Sequence, residues 1–186
     1  MKRIILLAIL SAGILISTMV AAECPANRNP DITLTKPNSI YTDNGDGTVS
    51  DTITGLMWHK CPLGLSGNDC TVGTELALTW QAALAAANGN TDYGYSDWRL
   101  PNRNELDSLM EVACTTGINE SMFPVSAITL PGSPPFVPYF VSSTPMASDP
   151  SDPFSDDHGR AWHVSQGVHV PFYKFDNALV RLVRTN

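Results

Sequence analysis

The chain has 186 residues, 43% hydrophobic and 16% charged, with a formal net charge of −7 and a sequence pI of about 4.8. That length suits one domain with a sizeable core and leaves no room for a second of ordinary size. Its acidic surface should repel nucleic acids, anionic membranes and polyanionic glycans, which leaves neutral glycans, cationic partners or calcium-bridged ligands.

Lys2 and Arg3 precede an apolar run from Ile4 to Ile16 that is too short for a comfortable membrane span, and Val20-Ala21-Ala22 offers small residues for cleavage. Residues 1–22 therefore read as a secretory signal peptide. Glu23 stands where a lipoprotein needs a small residue before Cys24. No later segment is apolar enough to enter a bilayer, so no membrane insertion is expected after cleavage. The mature chain would carry 9 Lys plus Arg against 18 Asp plus Glu, a charge of −9. Its expected location is extracytoplasmic: periplasm, cell surface or secreted.

All four cysteines lie in the exported part, where an even number usually means disulfides. Three pairings are open in principle. Cys61 and Cys70 flank a short Gly- and Pro-containing loop that closes easily, leaving Cys24 to clamp the N-terminal arm to Cys114. No C-x-x-C spacing or histidine pattern supports a redox or zinc site.

Residues 23–39 are polar, rich in Asn and Pro, and read as an irregular arm before a domain of residues 40–186. Ile40 to Thr42 and Thr48 to Ser50 flank Asn-Gly and Asp-Gly, which predicts a hairpin. The acidic loop Asp43 to Gly47 lacks the alternating carboxylates and distal Glu of an EF-hand, so turn chemistry is favoured over calcium. Leu56, Met57 and Trp58 predict a strand. Trp80, Ala83, Leu84 and Ala87 then recur at helical spacing, with Thr79 as cap and Asn88-Gly89 as stop.

A second helix is predicted over Arg103 to Cys114. Asn102 serves as N-cap and Glu105 as its reciprocal partner, and Leu106, Leu109, Met110 and Ala113 repeat at i, i+3, i+4 and i+7. Pro101 holds Leu100 extended, so the chain enters this helix from a strand or straight segment carrying Trp98. From Phe123 to Gly159 eight prolines predict irregular structure without long helices or central strands. Strands follow around Ala161 to Ser165, Val168 to Tyr173 and Leu179 to Val183.

Four ordered motifs carry a family resemblance: Asp43 to Asp51 with Thr54-Gly55-Leu56-Met57-Trp58, then Trp98-Arg99-Leu100-Pro101-Asn102-Arg103-Asn104-Glu105-Leu106. Phe123-Pro124, Tyr139 and Ser142-Ser143-Thr144 follow, then Ala161-Trp162-His163-Val164 and Val180 to Arg184. Over about Tyr41 to Arg184 the chain resembles the Lcl C-terminal domain family, named for a bacterial collagen-like adhesin. The resemblance implies an α+β, C-type lectin-like fold, with two helices packed on short antiparallel strands and a long irregular loop region. It also implies a secreted bacterial binding module for adhesion or recognition of a carbohydrate or protein, the family's namesake being associated with sulfated glycans. The net charge argues against that ligand class here.

The long loop is the expected ligand region, since binding residues sit on excursions from rigid scaffolds. Asp149, Asp152, Asp156 and Asp157 are candidate calcium ligands, with Tyr139, His158 and Trp162 as ligand contacts. A solvated loop is the simpler reading of such Ser-, Pro- and Asp-rich sequence. The Glu-Pro-Asn and Trp-Asn-Asp motifs of calcium-dependent lectins are absent. His158, His163 and His169 lack a carboxylate–histidine motif, and Trp58 and Trp98 fall in scaffold motifs that favour core packing. Arg99, Arg181 and Arg184 are expected to pair with carboxylates. No catalytic residue is expected. Two alternatives are a structural component of an envelope assembly, whose partner would be an envelope protein, and an oxidase of the formylglycine-generating type, which needs a reactive thiol pair and a metal.

Overall fold

The computed structural model describes residues 24, 28–114, 116–125, 139–147, 160–165 and 168–186, with only the backbone described over 160–170. Residues 1–22 and the loop candidates Asp149, Asp152, Asp156, Asp157 and His158 lie outside them.

Turn chemistry builds the first hairpin. β1 (Tyr41–Asp43) pairs antiparallel with β2 (Thr48–Asp51), Tyr41 opposite Asp51. Gly45 and Gly47 between them take φ of 76° and 100°, a region glycine enters without steric penalty. The turn after β2 is held by Asp51 Oδ1, which accepts from the Ile53 and Thr54 amides. β3 (Leu56–His59) then pairs with β2, and β11 (Val183–Thr185) completes a sheet ordered β1-β2-β3-β11.

Cys61 and Cys70 form one disulfide and Cys24 and Cys114 the other. Across the first loop β4 (Leu65–Ser66) pairs with β5 (Val72–Gly73). After β6 (Ala77–Leu78), α1 (Trp80–Asn88) starts at Thr79, whose hydroxyl accepts from the Ala82 amide, and stops at Gly89. Ala83 and Ala87 are buried where α1 meets the second sheet, and Trp80 Nε1 donates to the Ser142 carbonyl.

α2 spans Arg103–Ser108, with both arms of the Asn102/Glu105 capping box formed. It is shorter than the Arg103 to Cys114 helix expected. The four apolar positions are buried as the period requires, but the ladder tightens to three-residue bonds at Leu109 and Met110. Met110 then bridges Ile118, and the buried Glu111 carboxylate accepts amides from Thr35, Lys36 and Ala113. Those bonds turn the chain and tie down the N-terminal arm, overriding local helical preference.

β7 (Phe140–Pro145), β8 (Arg160–Ser165), β9 (Val168–Tyr173) and β10 (Ala178–Leu179) join β6 in a sheet ordered β6-β10-β7-β8-β9. Two expectations need correction. β7 is a central strand inside the Pro-rich region, because Phe140 to Thr144 is proline-free and Pro145 falls at its end, beyond a register shift. The single strand expected over Leu179 to Val183 is two. β10 runs parallel to β7, and β11 lies in the other sheet, so Val180 to Leu182 crosses between them.

The domain is α+β, mostly strands with two α-helices among the described residues. Strand alternation feeds two apolar clusters. Trp58, Val183 and Phe140 pack with Leu106 and Phe123, whereas their neighbours Met57, Leu182 and Val141 pack with Ala83 and Trp98. No helix among the described residues is long and apolar enough to cross a membrane.

Candidate functional site

The hairpin loop and the disulfide loop face each other across a cavity of about 290 Å³, lined by Asp43, Asp46, Lys60, Ser66, Asn68 and Tyr93, with Cys61 and the glycines between them. Lys60, directly after β3, anchors both loops. Its amide donates to the Gly47 carbonyl at 2.9 Å. Its ammonium pairs with Asp43 Oδ2 at 2.7 Å and donates to Asn68 Oδ1, with the side chain only 5% exposed. A buried ammonium needs such partners, because desolvation penalises an unpaired charge by several kcal/mol, roughly. Burial raises the Asp43 carboxyl, but the Lys60 and Gly45 hydrogen bonds and the Lys60 charge outweigh it and hold the group below its ordinary value. Asp46 is committed on one oxygen, where Oδ1 accepts from the Thr48 amide at 2.9 Å and the Thr48 hydroxyl at 2.6 Å.

Tyr93 closes one side of the cavity from a strained backbone. Its φ of 59° and ψ of 18° lie in the left-handed region, uncommon for a bulky residue. Trp98 helps hold it there, since its Nε1 donates to the Asp92 carbonyl at 2.8 Å. The tyrosine ring lies over Gly47 so closely that a Cβ there would come within 2.7 Å of Cζ and 2.9 Å of the hydroxyl. Burial pushes the phenol up, and the carboxylates of Asp92 and Asp46 push it further.

Beneath this wall sits His59, 2% exposed, with its ring 4.3 Å from that of Trp98 and 4.9 Å from that of Tyr93, both edge-on. Burial lowers its pKa to about 4, with Arg181 adding to the effect and Asp92 opposing it. Among the described residues Arg181 does not pair with a carboxylate as expected. Located on the crossover between the sheets, it is 1% exposed, with Nη1 donating to the His59 and Lys60 carbonyls and the guanidinium 5.2 Å from the Phe123 and Phe140 rings. Burial pushes it down to about 9, which leaves it charged at neutral pH. Arg99 and Arg184 do find carboxylates, on Glu105 and Asp97.

Of the residues expected to bind ligand, Tyr139 is half-buried with its ring 5.0 Å from Phe172, and it does not line the cavity. Trp162 lies on β8 opposite Pro171, its side chain outside the described atoms. Trp58 and Trp98 are core residues, 0% and 3% exposed. Among the described residues no group of His, Cys, Asp or Glu could hold a metal ion, and Asp43 and Asp46 instead fix their own turn through the Gly45 and Thr48 amides.

Lys60, Asn68 and Tyr93 escaped sequence reasoning because they meet only through the fold. The available signal was His59-Lys60, two polar residues continuing an apolar strand directly into a cysteine. No curated protein and no solved structure matches the chain. The model of the Lcl C-terminal domain matches residues 47–184, from the glycine under Tyr93 to the last strand. The chain therefore belongs to the Lcl C-terminal domain family.

Proposed function

We propose that this is a secreted bacterial ligand-binding domain of C-type lectin-like type, recognising a carbohydrate or a protein in adhesion, and that the cavity between the hairpin and disulfide loops is its binding site. The observation that carries this reading is Tyr93, a strained aromatic at the edge of a cavity whose remaining wall presents carboxylate, amide and hydroxyl groups. An aromatic surface beside a few convergent polar groups is the usual composition of a small-ligand site. The net charge of −7 favours neutral or cationic ligands over sulfated ones. Two disulfides and the absence of a membrane-crossing helix among the described residues are consistent with an extracytoplasmic location.

The pairing of all four cysteines counts against an oxidase of the formylglycine-generating type, which needs a reactive thiol pair. An envelope-assembly role draws support from Phe175, 53% exposed and stacked on Tyr173, an aromatic surface suited to a protein contact. Calcium held by Asp149, Asp152, Asp156 and Asp157 remains part of the proposal.

The test is binding of the disulfide-intact protein to neutral and acidic glycans and to envelope fractions, with calcium and with chelator. Saturable binding to one glycan class supports recognition, and its loss with chelator assigns calcium to the aspartate loop. Binding only to an envelope protein supports the assembly role. No binding in either condition overturns both.

A further inference from the structure

We propose that the cavity selects ligands carrying a protonated amine, received by the Asp46 carboxylate and the Tyr93 hydroxyl; this rests on reading the cavity as the ligand site. Three charged side chains line it, and two of them cancel. The Lys60 ammonium is ion-paired with Asp43, donates to Asn68 and is almost wholly buried, so its charge is already satisfied. Asp46 is left as the surplus charge. Its Oδ1 serves Thr48, and among the described residues no cation pairs with it.

Tyr93 supplies the second acceptor. Its ring lies over Gly47, the residue after Asp46, and Asp46 and Tyr93 line the same cavity. Asp46 also helps push the phenol up, after burial and Asp92, with the Arg181 charge opposing them. An ammonium with three donors matches these acceptors, and a charge-assisted hydrogen bond to a carboxylate is roughly twice as strong as a neutral one. A sulfate, phosphate or carboxylate would meet Asp46 with no free cation in the lining to offset it. The cavity's volume of about 290 Å³ admits a monosaccharide or the end of an alkylamine.

The amine could come from an amino sugar or from an alkylammonium such as a lysine side chain, and the test separates them. Backbone amide spectra of the disulfide-intact protein are recorded at about pH 6.5 during titration with glucosamine, 1,5-diaminopentane, N-acetylglucosamine, glucose and inorganic sulfate. The proposal predicts saturable shifts at Gly45, Gly47 and Asn68 with an amine probe. Affinity should be at least about tenfold weaker for N-acetylglucosamine, and for glucosamine on Asp46→Asn. Binding of glucosamine alone assigns an amino sugar, and equal binding of diaminopentane assigns a bare alkylammonium.

Should Asp46→Asn disturb the hairpin, Tyr93→Phe tests the same corner by removing only the hydroxyl, with the same direction expected. Equal binding of glucose or N-acetylglucosamine at these amides overturns the amine selectivity and leaves the site standing. Sulfate binding there overturns it likewise. No shift at these amides with any probe overturns the inference, while the glycan and envelope panel decides separately whether the domain recognises a ligand.

Discussion

Acidification from about pH 7 to about pH 5 should remove roughly 2 kcal/mol of stability through His59 alone. The ring is buried against Trp98 and Tyr93 with the Arg181 guanidinium nearby, so the folded protein holds it neutral down to about pH 4. The unfolded chain protonates the same ring near its ordinary value of 6.5. Between these values the unfolded state binds more protons, so stability falls as pH falls. The contribution is fully present above about 6.5 and exhausted below about 4, a total of roughly 3 kcal/mol.

Urea denaturation of wild type and His59→Phe at a series of pH values isolates the effect, because the other histidines and the carboxylates contribute to both proteins. The difference in unfolding free energy between them should move by roughly 2 kcal/mol from about pH 7 to about pH 5, in favour of the variant at acid pH. Parallel pH profiles would refute the account of His59 as a buried neutral ring.

Three further substitutions probe the fold, two of them at the site and one away from it. Gly47→Ala combines a disfavoured φ of 100° with a clash on Tyr93, so it should destabilise by about 2–3 kcal/mol in urea denaturation and displace the tyrosine ring signals. Arg181→Met strips the His59 and Lys60 carbonyls of a buried donor and should lower stability by about 1–2 kcal/mol, because relief of the buried charge offsets part of the loss, read as a drop in Tm. Asn102→Ala removes the side-chain arm of the capping box and should cost about 1 kcal/mol, measured by chemical denaturation, without altering the cavity.

Elements with local causes were legible in the sequence. The hairpin, the Thr79 and Asn102 caps and the Gly89 stop each depend on residues within one turn of where they act. Errors arose where a distant partner decided the outcome. The second helix looks longer than it is because Leu109, Met110 and Ala113 are buried at helical spacing, yet Ile118 and Glu111 claim the backbone there. Leu179 to Val183 reads as one apolar strand, while its ends pair with β7 and β3 in different sheets. Counting prolines obscured β7, since position within the segment mattered more than density.

The cavity is the least legible feature, although its two loops are each marked in the sequence, one by turn chemistry and one by its flanking cysteines. Tyr93 reaches Gly47 from 46 positions away in sequence, and only the fold brings them together. Asp43 and Asp46 alone suggest a turn or a cation. With Lys60 added, they become one cancelled pair and one available carboxylate.

The location of the site can be tested by mapping amide shifts for the tightest-binding member of the glycan panel. Saturable shifts centred on Gly45, Gly47 and Asn68 and reaching the Tyr93 ring are expected. Shifts confined to residues 149–158, with the cavity amides unmoved, would contradict this location and place recognition on the long loop instead.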